Sequence, residues 1–253
     1  MTIPLANQTA LVTGASRGIG RAIARRLAAD GAHVLVHYGR AQAEADSLVA
    51  EIAAAGGSAE AVGADLTSAE GAASLVECTT GALGNRKLDV LVNNAGIAEF
   101  ASFADTTGDI IDRHLAVNVR APFLITSGLL GTLADDARVI FTSSVVARTA
   151  FEGAPAYALT KGALNTLARD FAATLGPRGI RVNVVSPGAI QTDMADSLGI
   201  FATEESRAGI LSMQVLKRLG TPDDIAGVVA FLAGPDSQWV TGQVIEASGG
   251  SRL

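Results

Sequence analysis

The stretch from Thr9 to Val36 leaves a chain few ways to fold. A short apolar strand, Thr9 to Val12, runs into Thr13-Gly14-Ala15-Ser16-Arg17-Gly18-Ile19-Gly20. A helix follows with Ile19, Ala22, Ile23 and Leu27 on one side, Gly31 ends it, and His33 to Val36 reads as a second strand. Strand, glycine turn, helix and strand within about 30 residues make a βαβ unit, whose strands must run parallel. Such glycines let the backbone turn tightly and approach a pyrophosphate, which the free N–H groups at the helix start would meet. Glycine also caps helices and makes turns, so the pattern gains its weight from this context. The spacing, Gly-x-x-x-Gly-x-Gly from Gly14 to Gly20, differs from the commoner Gly-x-Gly-x-x-Gly and is a narrower signal.

The same alternation continues. Helices are expected over Gln42 to Ala55, Ser68 to Leu83 (with Ser68 as N-cap) and most of Asp105 to Ser127. A further helix carries Leu164, Ala168, Phe171 and Leu175, and a last one opens at Thr221-Pro222-Asp223-Asp224. Strands are expected at Ala59 to Val62, Leu88 to Val92, Arg138 to Thr142, Ile180 to Val185 and Gln243 to Glu246. The reading is one α/β, Rossmann-type, doubly wound domain over residues 1–253. Residues 189–218 are long and weakly patterned, as a substrate lid would be.

Composition narrows the function. A chain of 253 residues, 49% hydrophobic, buries a sizeable core without staples, and its single Cys78 fits a reducing compartment. Met1 to Asn7 is too short for a leader, and no apolar run approaches the ~20 residues that span a bilayer, so a cytoplasmic protein without membrane partners is expected. A net charge of −6 without a basic stripe argues against nucleic acid. His33, His37 and His114 form no cluster with metal-ligand spacing; His37 borders the cofactor region.

The end of the second strand selects the cofactor. An acid there would accept from a ribose 2′-hydroxyl, but the chain reads His37-Tyr38-Gly39-Arg40 and its next acid is Glu44. Arg40 and Arg17 are placed to bind a 2′-phosphate through charge-assisted contacts, which favours NADP(H); the alternative is two solvated arginines. Asn93-Asn94-Ala95-Gly96 ends the fourth strand abruptly, either tying loops together or lining a crevice. Asn118 lies inside a helix, where asparagine needs a structural or chemical reason.

Ser143 to Gly162 carries the chemistry. Two hydroxyls end an apolar run, and beyond a loop Tyr157 and Lys161 stand four residues apart on the face expected to be buried. A snorkelling lysine beside a core tyrosine would also give this pattern. As a pair, an ammonium one helical turn away would lower the phenol from its usual value near 10 and ready it for proton transfer.

These residues resemble the short-chain dehydrogenase/reductase family along nearly the whole chain. Gly14-x-x-x-Gly18-x-Gly20 is similar to its cofactor turn, Asn93-Asn94-Ala95-Gly96 to its next signature and Asn118 to its helix asparagine. Ser144, Tyr157 and Lys161 are similar to its catalytic trio; the thirteen-residue step from serine to tyrosine selects Ser144 over Ser143. Pro187-Gly188, the run from Arg218 to Ile225 and Thr241-Gly242-Gln243 resemble later motifs. The turn Gly14-Ala15-Ser16-Arg17-Gly18-Ile19-Gly20 resembles that of 3-oxoacyl-[acyl-carrier-protein] reductases and also that of reductases of unrelated ketones.

The resemblance implies a seven-stranded parallel sheet in the order 3-2-1-4-5-6-7 and a homotetramer or homodimer, the tetramer being commoner. It implies that Tyr157 is the acid in reduction, that Lys161 tunes it and holds the nicotinamide ribose, and that Ser144 binds the substrate oxygen. Asn118 would anchor a water linking Lys161 to solvent. Ser16, Arg17, Ile19, Arg40, Asp65, Leu66, Asn94, Ile190 and Thr192 are carried over as cofactor contacts beside Gly14, Gly18, Gly20, Ala95, Gly96, Pro187 and Gly188. One departure is Ala247-Ser248-Gly249-Gly250, where an aspartate often precedes the paired glycines; it bears on subunit packing.

The expected function is reduction of a small carbonyl substrate with NADPH, a 3-oxoacyl thioester being one candidate. Two competing readings are an idle NADPH-binding sensor and an NAD-dependent alcohol or sugar dehydrogenase. Phe151, Met194, Leu198, Ile200 and Phe201 suggest an apolar substrate pocket.

Overall fold

The computed structural model describes residues 3–253. Its strands are β1 (Thr9–Val12), β2 (His33–Tyr38), β3 (Ser58–Gly63), β4 (Leu88–Asn93), β5 (Leu133–Thr142), β6 (Arg181–Pro187) and β7 (Val244–Ala247). They form one parallel sheet in the order β3-β2-β1-β4-β5-β6-β7, as expected. The order reverses between β1 and β4, and β1 to β4 is the crossover where open sheets leave a crevice at their carboxyl ends.

The helices are α1 (Gly18–Ala29), α2 (Gln42–Ala54), α3 (Ala69–Leu83), α4 (Gly108–Leu115), α5 (Ala121–Gly128), α6 (Pro155–Leu175), α7 (Asp193–Ser197), α8 (Glu204–Ser212) and α9 (Pro222–Ala233). Strand alternation splits the core between the two faces of the sheet. Ala10, Val12, Val34 and Val36 pack with α1, α2 and α9. Leu11, Leu35, Leu91 and Phe141 pack with α3, α5 and α6. Ser68 caps α3 by accepting from the Gly71 N–H at 3.0 Å, and the Asp224 carboxylate closes the first turn of α9 by accepting from the Thr221 N–H at 2.7 Å.

Three elements differ from the sequence expectation. β5 begins at Leu133, five residues before Arg138, and its register against β4 shifts between Leu88 and Val90. Asp135 and Asp136 hid this start; Asp136 takes a φ of 62°, which an aspartate tolerates better than most residues. The helix around Asn118 is interrupted by a π turn at Ala116–Arg120 that joins α4 to α5. Residues 189–218 contain two short helices, capped by Thr192 and Thr203.

The stretch after Gly188 returns over the sheet's carboxyl edge. Ile190 bridges Gly220, and Gln214 pairs antiparallel with Ser251. Residues 249–252 are zipped to residues 213–216: Leu216 N–H donates to the Gly249 carbonyl at 2.9 Å, and Arg252 N–H to the Met213 carbonyl at 2.9 Å. Arg148 grips this tail through the Glu246 carboxylate and the Ser251 and Arg252 carbonyls.

Candidate active site

A cleft of about 720 Å³ opens where β1, β4, β5 and β6 end. Its floor is the glycine turn. Gly14 (φ 64°) and Gly18 (φ 56°) occupy the left-handed region, where a side chain is strained. A Cβ at Gly14 would lie 2.9 Å from Ala95 Cα, and one at Gly20 would lie 2.2 Å from the Gly14 carbonyl oxygen. No side chain caps the start of α1, so its first N–H groups are left for a ligand. This cradle fits a pyrophosphate.

Thr13 and Asn94 pin the turn to β4. Thr13 Oγ1 accepts from the Asn94 and Ala95 N–H groups, each at 2.9 Å, and Asn94 Nδ2 donates to the Thr13 carbonyl at 3.0 Å. Asn93 ties to Thr126 instead. Thr192 closes over the turn, its methyl lying 3.5 Å from where a Gly18 Cβ would be.

The far end of the cleft is bounded by Arg17, Arg40, Asp65 and Leu66. Arg17 and Arg40 are exposed on its rim, and Arg40 faces Asp65 at 3.8 Å, too long and too solvated to hold it. Thr67 engages the Asp65 carboxyl through its N–H and hydroxyl, which holds that group below the usual carboxylate range. His37, inside the same wall, makes two bonds: Gly14 N–H donates to Nδ1 at 3.0 Å, and Nε2 lies 3.1 Å from the Ala64 carbonyl. The Gly14 amide can only donate, so Nε2 carries the proton. Burial holds this imidazole neutral, titrating at about 4.

At the near end stand Ser144, Tyr157 and Lys161. Lys161 is 3% exposed; its ammonium donates to the Thr142 carbonyl at 2.8 Å and lies 5.4 Å from the centre of the Tyr157 ring. His114, fully buried, packs edge-on against that ring. The two serines separate: the Ser143 hydroxyl donates to the Lys161 carbonyl at 3.0 Å, while Ser144 borders the cleft beside Tyr157, its hydroxyl accepting from the Val146 N–H at 3.4 Å.

The electrostatics correct one expectation. Lys161 does not pull the phenol down. Burial pushes Tyr157 up to about 12, with the neighbouring Ser144 hydroxyl working the other way, and burial lowers Lys161 to about 8. Taking both groups out of water penalises phenolate and ammonium alike. Tyr157 nevertheless keeps part of its surface open to the cleft. The site as built holds a neutral phenol, which is a proton donor.

Of the residues singled out in the sequence, those of the glycine turn, Arg40, Asp65, Leu66, Asn94, Ala95, Gly96, Ser144, Tyr157, Lys161, Pro187, Gly188, Ile190 and Thr192 all border this cleft. Asn118 does not: it is fully buried behind the wall, in the π turn. Its Oδ1 accepts from the Ile97 N–H at 2.8 Å, and its Nδ2 donates to the Ile97 carbonyl at 2.9 Å and to Thr160 Oγ1 at 3.1 Å. A Cβ at Gly96 would sit 3.2 Å from Asn118 Oδ1 and 3.5 Å from Lys161 Nζ, so a side chain there would crowd both groups. Phe151, Met194, Leu198, Ile200 and Phe201 line the substrate side, joined by Phe100, Met213 and Arg252, which the sequence had not marked. Phe100 and Phe151 pack together at 5.9 Å, a pairing between distant segments that has no local signature. Among the described residues, no group of His, Cys, Asp and Glu is arranged to hold a metal, and no helix is long and apolar enough to cross a membrane.

Known proteins are similar to this chain over nearly its whole length. Residues 14–252 match the family model described as enoyl-(acyl carrier protein) reductase. The uncharacterized oxidoreductase of Methylorubrum extorquens is 48% identical over 98% of this chain and 99% of its own. The chain belongs to the short-chain dehydrogenase/reductase family. Within that family, a hydroxynaphthalene reductase-like protein of Metarhizium brunneum is 39% identical over 98% of this chain and 96% of its own. Among solved short-chain dehydrogenase/reductase structures, the angucycline C-6 ketoreductase LanV with bound NADP is 40% identical, with a TM-score of 0.93 over 99% of this chain and 97% of that one.

Proposed function

We propose that the protein is an NADPH-dependent ketoreductase that turns the carbonyl of a small ketone into a secondary alcohol. The observation that carries this reading is the meeting of Ser144, Tyr157 and Lys161 with the glycine turn in one cleft. Bound NADPH supplies the hydride. Tyr157 gives its phenolic proton to the carbonyl oxygen as negative charge develops there. Ser144 donates a hydrogen bond to the same oxygen. Lys161 holds the nicotinamide ribose and keeps its amine beside the Tyr157 ring. Asn118 acts through others, holding Ile97 and Thr160, the residue before Lys161. The glycine turn and the start of α1 hold the pyrophosphate, with Ala95, Gly96, Pro187, Gly188, Ile190 and Thr192 along the nicotinamide half. Arg17 and Arg40 take the 2′-phosphate, beside Asp65 and Leu66 at the adenine.

The wall of Phe100, Phe151, Phe201 and Met194 suits a ketone with a flat apolar body. The relatives support that class: one is named for hydroxynaphthalene, and LanV was also crystallised with NADP and rabelomycin. A 3-oxoacyl thioester is the competing substrate. The protein is read as cytoplasmic, consistent with its single cysteine. It is also read as a homo-oligomer, a tetramer before a dimer, consistent with the full exposure of Trp239 and the 90% exposure of Phe103.

NADPH consumption against a panel of a polycyclic aromatic ketone, a small aliphatic ketone and a 3-oxoacyl thioester tests the reading. Fastest turnover is expected with the aromatic ketone and NADPH. Binding of NADPH without turnover of any ketone would favour an idle sensor. Equal rates with NADH would overturn the 2′-phosphate assignment.

A further inference from the structure

We infer that His37 is a positioning residue for the adenosine half of the cleft, its imidazole setting the distance between the glycine turn and the loop that follows β3. The inference rests on the reading of this cleft as an NADPH site. β2 enters the cleft with Val34, Leu35 and Val36 buried, and His37 is as buried as they are, at 2% exposure. An apolar residue would serve the core as well. What an apolar residue lacks is a partner for two loop groups that face this position.

One is the Gly14 N–H, which donates to Nδ1 at 3.0 Å; the other is the Ala64 carbonyl, which accepts from Nε2 at 3.1 Å. The backbone repeats the linkage: Ala15 N–H donates to the His37 carbonyl at 2.8 Å, and Ala64 N–H to the Tyr38 carbonyl at 3.0 Å. Gly14 cannot shift to compensate, because its φ of 64° and the approach of Ala95 fix it from the other side. A planar ring with nitrogens on opposite sides is a rigid spacer, whereas a flexible side chain is not. Asp65 and Leu66 follow Ala64 directly, and Arg40 follows His37 by three residues, so the imidazole sets the rim on which the adenosine and its phosphate rest.

The test compares His37→Leu, His37→Asn and His37→Gln. Asparagine places an acceptor near Nδ1 and keeps the Gly14 bond; glutamine reaches toward Nε2 and keeps only the Ala64 bond. The measurements are NADPH Kd by fluorescence titration without substrate, and amide exchange of Gly14 without cofactor. His37→Leu is expected to raise the NADPH Kd by about tenfold, the loss of a hydrogen bond that leaves buried groups unpaired, and to speed Gly14 exchange. His37→Asn should return the Kd to within about threefold of the unsubstituted protein and restore Gly14 protection. In turnover, the KM for NADPH should rise far more than kcat falls. An unchanged Kd in His37→Leu would overturn the inference, as would His37→Asn and His37→Leu losing stability and affinity alike. If His37→Leu does not fold, the amide pair decides: His37→Asn binding better than His37→Gln supports the clamp on Gly14, and no difference between them overturns it. If the unsubstituted protein binds no NADPH, the cofactor reading fails, while Gly14 exchange still reports on the clamp.

Discussion

Tyr157 and Lys161 were raised and lowered in pKa by the same cause, burial, and this decides what each contributes. A phenol at about 12 is protonated throughout the neutral range and acts as an acid. Tyr157→Phe should therefore lower ketone turnover by roughly 10²–10⁴-fold, as loss of a general acid does, while NADPH still binds; steady-state rates alongside a binding titration check both halves. Lys161 is depressed to about 8, so its ammonium is present below that pH and lost above it. Ketone reduction should be flat through neutrality and decline as pH rises past about 8, and Lys161→Met should be slow at every pH without that inflection. Arg40 is exposed and meets only a distant Asp65. Arg40→Ala should weaken NADPH by about tenfold, the scale of one charge-assisted contact, and leave NADH binding as it was. A matching loss for NADH would place the 2′-phosphate elsewhere.

At the scale of elements, the π turn at Ala116–Arg120 is the part of the site with the least trace in the sequence. Asn118 announced itself as a misfit in a helix, but its three bonds to Ile97 and Thr160 are tertiary. Asn118→Ala would strand the half-buried Ile97 N–H and carbonyl and should cost about 1 kcal/mol in urea unfolding, with a fall in kcat as Lys161 loses its surroundings. The glycine turn and the Ser144–Tyr157–Lys161 spacing were legible because close backbone approach and helical repeat are local demands that leave fixed intervals. Central strands such as β1 and β4 were legible because a strand buried on both faces is a nearly continuous apolar run. The start of β5 was not, since Asp135 and Asp136 break that run. The helices α7 and α8 were missed for the opposite reason: α8 buries no residue, so no apolar stripe marks it, and only the capping threonines Thr192 and Thr203 gave a sign. The fall of the Tyr157 expectation has the same root, because desolvation depends on what packs around a pair and spacing cannot reveal it.

For the whole molecule, the neutral buried His37 links folding to pH. Its folded-state value of about 4 lies below the 6.5 of an unfolded histidine. Between those values the unfolded chain binds a proton that the folded chain does not, so stability is lost as pH falls through that window. Urea unfolding at pH 7 and pH 5 should differ by about 2 kcal/mol from this group alone, and His37→Asn, which cannot titrate, should shrink the gap by that amount. The tail that crosses the carboxyl edge has an effect of a different kind. Its Ser251 and Arg252, and Met213 of the segment it is zipped to, border the cleft, and Arg148 ties the tail to the loop before α6. That side of the cleft is thus shared by two stretches far apart in the chain, and exchanging the terminal Ser251 or Arg252 is expected to change which ketones the proposed reductase accepts without touching the hydride.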